Sequence, residues 1–593
     1  MNLGGRPVIR EVCCAFAPGW THIIGPNGAG KSTWVRALAG LLPLDGGSVR
    51  LNGRCLESMG ALERAQWIAY VPQRLEAVPE LDVLEFVSQG TYAWGMRGAV
   101  PAQRVQRAAA ALRMLGIAHL AQRRLHTLSG GELEMCILAS AVAQRTRILL
   151  LDEPTAALDI GVAERFCRAV RRLSRSGMIV ISVTHDLGLA ARYADRILLM
   201  KSGQIVSDTA SLPSQNVLGR AYHTDPQVFA RYADILGDRA RRARRTAIAR
   251  PCHIIRICRC RVPSDGSKRI ASTGAPSKPS CRKRNRYAVL MAAAVCACAL
   301  AVSPWIGATA AFPWDASREI FWQLRVPRVI WGALAGSVLA VCGSVLQSVF
   351  QNALATPYTL GLASGASLGA MFVIQLGFAG IFGLSAASCF GGILTMGAVI
   401  AVSSRIGRYQ SLNCLLAGIA ASMFCSAAGL LIQAFATPLT AHQMMRWQLG
   451  GLEVTGYASL LSLPAIAISL ACLYLNAERL DMLSVDAELA ASRGVRVVRT
   501  RAFALLAAGI ATSVVVSMCG PIGFIGLIVP HILRRFYGGA MKLLITLCAF
   551  YGAAFLVVAD AFARALERFA WIPVGVVTAA VGAPVLVYLI RRR

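Results

Sequence analysis

The second half of the chain is built from apolar runs that are long enough to cross a lipid bilayer. Inside a bilayer every backbone N–H and C=O must be paired within the protein, so runs of about 20 apolar residues predict transmembrane helices. Ten spans are predicted, near residues 287–311, 329–350, 358–380, 385–404, 411–436, 457–476, 501–518, 521–533, 543–566 and 573–590. They indicate an all-α polytopic membrane domain over residues 287–593, in which the run at 521–533 is the shortest.

Composition supports a membrane domain and adds a basic connector. The chain is 55% hydrophobic and 15% charged, whereas soluble domains average about 25% charged residues. Its formal net charge is +31, and residues 239–286 contribute +15 of that excess. Because part of this stretch is also rich in Ser, Gly and Pro, we predict a flexible linker over residues 231–286. Its position beside a span favours anionic membrane lipid as its partner, and nucleic acid is not expected.

The charges also predict how the spans are oriented. The first residues contain no apolar stretch of signal-peptide length, so we expect the N-terminal half to be cytoplasmic. Ten spans then return the C-terminus to the cytoplasm. Basic residues are concentrated in the predicted cytoplasmic segments at 405–408, 479–501, 534–542 and 591–593, as the positive-inside bias expects.

Residues 1–230 have a different pattern, in which short β-rich runs alternate with helical stretches. The runs at 20–24, 147–151 and 179–184 are apolar and of strand length. Strands that alternate with helices predict an α/β domain with a largely parallel sheet.

A glycine-rich turn follows the first of these strands and precedes a helical stretch. Gly25 to Thr33 match G-x-x-x-x-G-K-[ST], the phosphate loop of P-loop NTPases. Its glycines allow backbone N–H groups to surround phosphate, while Lys31 reaches the β- and γ-phosphates and Ser32 reaches Mg²⁺. The residues assigned to nucleotide binding here are Gly25, Asn27, Gly28, Gly30, Lys31, Ser32 and Thr33. ATP and Mg²⁺ are therefore the expected cofactors.

An acidic pair ends the apolar strand at 147–151. Asp152 at the carboxyl end of a buried strand suits a Mg²⁺ ligand. Glu153 could orient or deprotonate the attacking water. A strand that ends in Asp-Glu is also common as a solvated turn, and the phosphate loop is what favours the catalytic interpretation.

The segment Leu128-Ser129-Gly130-Gly131-Glu132 makes the family resemblance specific, because residues 1–230 resemble an ABC-transporter ATPase. In that family Ser129, Gly130, Gly131 and Glu132 would cap the γ-phosphate of a nucleotide held by a second ATPase. The resemblance also implies roles for Gln73 at Mg²⁺ and the permease, His185 at the γ-phosphate, and Asp159 at the dimer interface. The predicted catalytic residues are thus Glu153, His185 and Gln73, and the predicted Mg²⁺ residues are Ser32, Gln73 and Asp152.

The membrane half resembles the iron-siderophore, haem and cobalamin uptake permeases, which are ten-helix type II importers. The match is carried by Arg325-Val-Pro-Arg328, by Gly520-Pro-Ile-Gly-Phe-Ile-Gly-Leu-Ile-Val-Pro530-His531 and by the run from Pro573 to Pro584. The resemblance implies that Arg325, Arg328 and Arg564 dock a periplasmic binding protein, although arginines at a membrane interface also snorkel without a partner. It implies that Asp486, Glu488, Arg493 and Gly494 belong to a cytoplasmic coupling helix. The alternative is an ordinary amphipathic loop helix.

Together these features predict ATP-driven import of an iron-siderophore or a related metal chelate across the bacterial inner membrane. The chain carries one ATPase and one permease, and the resemblance implies that each ATP site needs two ATPases, so a homodimer is expected. Haem or cobalamin import remains open, as do an ABC exporter and a membrane ATPase that regulates without transporting.

Overall fold

The structure is a computed structural model. It describes the chain except for residues 4–5, 76–77, 79, 96–100, 157, 233–279, 308–318, 378–380, 407–410, 453–456, 539, 568, 570 and 592–593. Most of the predicted linker at 231–286 therefore lies outside the described residues. The chain forms two compact units, one of Met1–Ala271 with Val485–Arg496 and one of Ser272–Ser484 with Val497–Arg593.

The first unit is organised by a mostly parallel sheet. Its strands are β3 (Gly19–Ile24), β6 (Ile68–Val71), β7 (Ile148–Asp152), β8 (Ile179–Val183), β9 (Arg196–Lys201) and β10 (Gln204–Thr209). Their order is β10-β9-β3-β8-β7-β6, and only β10 runs antiparallel to its neighbour. Short pairs, β1 (Asn2–Leu3) with β2 (Arg6–Pro7) and β4 (Arg50–Leu51) with β5 (Arg54–Cys55), lie outside this sheet. The predicted α/β fold with a parallel sheet is confirmed.

Helices cover this sheet and join its parallel strands. They are α1 (Lys31–Leu38), α2 (Ala61–Trp67), α3 (Val83–Gln89), α4 (Tyr92–Gly95), α5 (Pro101–Met114), α6 (Gly130–Ala143), α7 (Ile160–Arg175), α8 (Leu187–Tyr193) and α9 (Gln215–Tyr222). All residues of β7 and β8 are buried, because parallel strands with helices on their faces have no solvated side. Since the carboxyl ends of parallel strands meet at one edge, residues that follow β3, β6, β7 and β8 are brought together there.

The second unit is helical. Its helices are α10 (Ser280–Val302), α11 (Val326–Phe350), α12 (Leu362–Gln375), α13 (Ile381–Ile406), α14 (Ser411–Ala434), α15 (Pro438–Gln448), α16 (Leu463–Leu475), α17 (Ala477–Val485), α19 (Val497–Cys519), α20 (Ile525–Tyr537), α21 (Met541–Leu566) and α22 (Val574–Arg591). The short α18 (Ala487–Ser492) lies in the segment that belongs to the first unit.

Each of the ten predicted spans overlaps one of these helices, but not every helix is long enough to span. Within the described residues, six helices are long and apolar enough to cross a membrane, or seven if the pair Leu460–Leu475 and Ala477–Val485, bent by 57°, is one span. The predicted runs at 358–380, 521–533 and 573–590 correspond to shorter helices. The first two of these runs include non-helical turns, with left-handed Gly361 and Phe524 directly before the helix begins. An apolar run is therefore not a helix along its whole length.

The helices of the second unit divide into central and peripheral ones. The apolar stretch of the span Ile320–Phe350 is 78% buried within the protein, whereas that of Cys414–Ala434 is 17% buried. Large apolar side chains such as Phe424 and Phe390 are exposed on the peripheral helices. Exposed apolar surface on helices of this length is the pattern expected where lipid is the solvent.

Candidate functional site

The phosphate loop joins β3 to α1. Gly30 stands at the N-cap of α1 with φ of 91°, a left-handed conformation that favours glycine. The Lys31 ammonium donates to the carbonyl oxygens of Gly25, at 2.8 Å, and Pro26, at 2.9 Å. Its side chain is buried, and burial lowers the pKa of Lys31. The Lys31 side chain therefore bends back onto the phosphate loop. It lies at the N-terminal end of α1, where the helix dipole favours phosphate.

Ser32 and Asp152 bring two side-chain oxygen atoms together beside this loop. The Ser32 hydroxyl donates to Asp152 Oδ1 at 2.8 Å, although the residues are far apart in sequence. Asp152 is fully buried at the end of β7, and burial raises the pKa of its carboxyl group. A buried carboxylate next to a hydroxyl is the oxygen donor set that Mg²⁺ prefers, and a divalent cation would offset the burial of its charge. These residues fit the expected Mg²⁺.

The three residues predicted as catalytic lie in one cluster. Glu153 follows β7, and its Oε1 lies 2.5 Å from His185 Nε2, just beyond the end of β8. The side-chain amide of Gln73, after β6, donates to Glu153 Oε2 at 2.8 Å. The amide oxygen of Gln73 is then the atom left to face a cation. The imidazole and the amide fix the orientation of the Glu153 carboxylate. A fixed carboxylate can position a water molecule for attack.

The Ser129–Glu132 segment forms the start of α6. Glu132 N–H donates to the Ser129 hydroxyl at 3.3 Å and the Ser129 N–H donates to the Glu132 carboxylate at 2.9 Å, which completes a capping box. Asp159 caps the next helix, accepting from Val162 N–H at 2.8 Å. Across the described part of the chain, Ser129–Glu132 make no hydrogen bond or ion pair with the phosphate loop.

The segment Val485–Arg496, predicted to contain the coupling helix, is anchored in the first unit by Arg493. The guanidinium donates to Gln89 Oε1 at 2.9 Å and to the Ser140 hydroxyl at 2.6 Å, and it lies 4.9 Å from the Phe86 ring centre. Arg493 is 1% exposed, and burial lowers its pKa to about 9. Hydrogen bonds and ring contact offset part of the cost of burying this charge.

Further contacts hold the same segment. Asp486 accepts from Leu489 N–H at 2.7 Å and caps α18. Gly494 has φ of 95°, and a side chain there would press against Leu62 at 2.9 Å, so a glycine is required by both conformation and space. The Gln144 amide donates to the Ser492 carbonyl at 3.2 Å. All four residues predicted for the coupling helix thus lie in one segment seated on α2, α3 and α6.

Glu488 of this segment contacts two residues that the sequence did not single out. Its Oε2 lies 3.2 Å from Arg36 Nε of α1 and 3.4 Å from the Tyr70 hydroxyl of β6. Arg36 and Tyr70 also approach Asp152. The sequence offered one signal for these contacts, which is the basic residue Arg36 in the helix that follows the phosphate loop. Charged side chains on helices are usually solvated, however, and no local pattern distinguishes Arg36 from such a residue.

Two of the three predicted docking arginines, Arg328 and Arg564, converge on Asp560, another residue that the sequence analysis missed. Arg328 donates to Asp560 Oδ1 at 3.0 Å, and Arg564 donates to Asp560 Oδ2 at 2.9 Å. Arg564 also donates to Ser303 and Ile306, and Arg325 donates to the Pro304 carbonyl at 3.2 Å. Arg325 and Arg564 are buried, and Arg328 remains 22% exposed. An acidic residue inside an apolar span is a signal for such pairing.

Two family models match this chain. The ABC transporter model matches residues 14–156, and the FecCD transport family model matches residues 286–592, more than half of the chain.

The chain belongs to the FecCD transport family.

Proteins of known name agree with this assignment. The permease half is 34% identical over 283 residues to the "Cobalamin import system permease protein BtuC" of Halobacterium salinarum, covering 47% of this chain and 75% of that protein. It is 34% identical over 274 residues to the "Probable iron chelatin transport system permease protein" of Helicobacter pylori, covering 46% and 82%. A solved structure described as "An inward-facing conformation of a putative metal-chelate type ABC transporter" is 26% identical, with a TM-score of 0.49, over 52% of this chain and 100% of that one.

The transporter therefore joins an ATP-binding cassette and a multi-pass permease in one polypeptide. Its cassette binds and hydrolyses ATP, and hydrolysis is coupled to transport. Its class is that of the ABC importers for metal chelates, iron compounds and cobalamin.

Proposed function

We propose that this transporter imports an iron-siderophore or a related metal chelate across the bacterial inner membrane. The observation that carries the proposal is the match of residues 286–592 to the FecCD transport family, together with the 34% identity to a relative whose name includes iron chelatin. Cobalamin is the second candidate, because an equal 34% identity connects the permease to a relative named for cobalamin import. Haem is a third member of the same substrate class.

Within the ATP site the residues of this chain would have separate roles in binding and hydrolysing ATP. Bound Mg²⁺, held by Ser32 and Asp152 with Gln73, would neutralise phosphate charge. Lys31 would bind the β- and γ-phosphates. Glu153 would accept a proton from the attacking water, and His185, which lies 2.5 Å from Glu153, would keep that carboxylate in position.

The proposed assembly is a homodimer with two composite ATP sites. Support comes from Ser129–Glu132, the signature segment, which among the described residues makes no hydrogen bond or ion pair with the phosphate loop and would thus be left to meet the nucleotide of a second copy. Ile160, next to the proposed interface residue Asp159, is 92% exposed. An exposed isoleucine beside a helix cap is suited to contact with a second copy.

Delivery by a periplasmic binding protein belongs to the same proposal. Arg328 keeps part of its side chain exposed, and the carboxylates of Asp560 and Glu567 hold it in place at 2.9 Å and 3.7 Å. Arg325 and Arg564 are turned inward, so docking through them would require their present hydrogen bonds to open. We therefore propose that Arg328 contributes more to docking of the binding protein than Arg325 or Arg564.

The proposed topology has both termini in the cytoplasm. The basic residues at 479–501 and 591–593 support it, because positive charge is retained on the cytoplasmic side. The ATPase unit must also lie where ATP is available.

The function is tested with the full chain in proteoliposomes that contain ATP on the cassette side. A periplasmic binding protein for the tested ligand is added on the other side with an iron-siderophore, haem or cobalamin. We expect uptake and a rise in ATPase activity with the iron-siderophore, and no uptake by Glu153→Gln. Stimulation by cobalamin alone would overturn the iron assignment, and uptake that is independent of the binding protein would overturn the delivery step.

A further inference from the structure

Two donors in the first unit are shared between the ATP site and the segment Val485–Arg496. Arg36 Nε lies 3.2 Å from Glu488 Oε2 and 4.0 Å from Asp152 Oδ2. The Tyr70 hydroxyl lies 3.4 Å from each of the same two carboxylates. Glu488 is thus connected to the proposed Mg²⁺ ligand through one side chain of α1 and one of β6.

Tyr70 cannot serve both carboxylates at once, because it carries a single hydroxyl proton. The single N–H of Arg36 Nε is shared between Glu488 Oε2 at 3.2 Å and the Tyr70 hydroxyl at 3.4 Å. Burial raises the pKa of Tyr70 well above its ordinary value, so its proton stays in place. At present Arg36 is closer to Glu488 by 0.8 Å, the difference between 4.0 Å and 3.2 Å. Without Glu488, Asp152 would be the carboxylate left to accept from Tyr70, and Arg36 Nε would have the Tyr70 hydroxyl at 3.4 Å and Asp152 Oδ2 at 4.0 Å.

The carboxylates differ in their freedom to move. The Asp152 side chain is completely buried at the end of a central strand, whereas the Glu488 side chain is 25% exposed on a short segment. That segment joins α17 to α19, both of which belong to the permease unit. A displacement of this segment would therefore change the position of Glu488 relative to Arg36 and Tyr70 and leave Asp152 in place.

We infer that Arg36 and Tyr70 act as a relay that reports the position of the coupling segment to the Mg²⁺ site. When the segment is seated, Glu488 holds both donors and leaves Asp152 Oδ2 available to the cation. When the segment withdraws, both donors close on Asp152 and oppose cation binding. The inference rests on the proposed role of Asp152 as a Mg²⁺ ligand, and it makes Arg36, Tyr70 and Glu488 positioning residues for that ligand.

The segment can be kept seated while Glu488 is changed, which makes the relay testable. Arg493 is buried and hydrogen-bonded to α3 and α6, and Gln144 holds the Ser492 carbonyl. Neither contact involves Glu488. Glu488→Gln keeps the size of the side chain and removes its charge, so Arg36 loses its preferred partner while the anchors remain.

The experiment measures cation affinity instead of turnover. The full chain in nanodiscs carries Glu153→Gln, so that ATP persists, and Mn²⁺ binding at saturating ATP is followed by electron paramagnetic resonance. We expect Glu488→Gln to weaken Mn²⁺ affinity about tenfold, a change of about 1.4 kcal/mol. In an Arg36→Met background the same substitution should change affinity less than twofold, and Tyr70→Phe should reduce the effect. Glu63→Gln, which removes an exposed ion pair with Arg54, is the matched control.

A second variant moves the segment itself. Arg493→Met removes the buried anchor, and hydrogen exchange over 485–496 verifies that the segment has loosened. We expect Mn²⁺ affinity to fall as it does in Glu488→Gln.

Three outcomes separate the relay from the function on which it rests. Equal weakening by Glu488→Gln with and without Arg36 would reveal a general field effect and overturn the relay. Loosening of the segment with unchanged Mn²⁺ affinity would overturn it as well. Asp152→Asn should weaken Mn²⁺ binding in every background, and if it does not, the proposed Mg²⁺ ligand is wrong and the relay fails with it.

Discussion

Glu153 occupies a strained position at the end of β7. Its φ is 50°, a left-handed conformation that is uncommon for a glutamate. The turn places its carboxylate between His185 and Gln73, residues that follow two other strands. Backbone strain of this kind costs about 1–3 kcal/mol and persists where surrounding contacts over-determine it. The position of this carboxylate is thus set by three strand ends acting together.

Replacing Glu153 with Gln should lower ATP hydrolysis by roughly 10²–10⁴-fold, because the amide cannot accept a proton. ATP binding should be retained, since Lys31 and the phosphate loop are unchanged. Nucleotide affinity and phosphate release, measured on the same preparation, test this expectation. Parallel losses of binding and hydrolysis would contradict it.

Glu134, two residues after Ser129–Glu132, is half-buried, and one of its carboxylate oxygens is buried without compensation. Its Oε2 has no hydrogen-bond partner among the described residues, and burial raises the pKa of Glu134 to about 7. An unfolded glutamate titrates near 4.5. Between these values the native state binds more protons than the unfolded state, so stability falls as the pH rises from 4.5 towards 7.

Glu134→Gln should therefore stabilise the protein at pH 8 by up to about 3 kcal/mol and have little effect at pH 5. The measurement is the thermal unfolding midpoint of the detergent-solubilised full chain at both pH values. Glu63→Gln serves as the exposed control and should change neither midpoint. A gain of equal size at pH 5 and pH 8 would exclude titration of Glu134 as its cause.

At the scale of elements, glycines set how closely the permease helices approach. A methyl carbon at Gly343 of α11 would overlap the Gly526 carbonyl of α20, and one at Gly336 would overlap the Gly552 carbonyl of α21. Small residues at crossings allow helices in a membrane to pack backbone to backbone. The central position of α11 depends on these contacts.

Gly343→Ala should destabilise the permease by about 1–3 kcal/mol, since the added methyl group meets backbone that cannot rotate away. Gly397→Ala in α13 is the matched control, because nothing lies within 4 Å of its added carbon. Thermal stability of the detergent-solubilised protein, followed by size-exclusion chromatography, distinguishes them. Equal midpoints for the two variants would contradict this role for Gly343.

At the scale of the whole molecule, the proposed homodimer makes a prediction about mixed assemblies. Lys31→Ala disables the phosphate loop and Ser129→Arg disables the signature segment. In a mixed dimer of these variants, one ATP site receives both defects and the other receives none. We expect each variant alone to be inactive and co-expressed variants, purified as a mixed dimer by two affinity tags, to recover ATPase activity. No recovery in the mixed dimer would argue against composite sites.

The sequence by itself determined the local machinery and the division into an α/β ATPase and a helical permease. The phosphate loop and the capping box at Ser129 are short contiguous motifs, and their conformations depend mainly on neighbouring residues. The Asp152-Glu153 pair is also recognisable in the sequence, although its partners Ser32, Gln73 and His185 come from other elements. The ten apolar runs each overlap a helix for a similar reason, because apolar length alone dictates helix in a membrane.

Only the tertiary structure decided which distant charges become partners. Tyr70 and Glu488 are 418 residues apart, and no local pattern connects them. Arg325 and Arg564 are turned towards internal acceptors, although their sequence context favours an external partner. Charged side chains bind whichever opposite charge or hydrogen-bond acceptor the fold brings near, and burial decides how strongly. The partners of these charged side chains are thus decided when the helices and strands pack together. The proposed relay depends on such tertiary contacts.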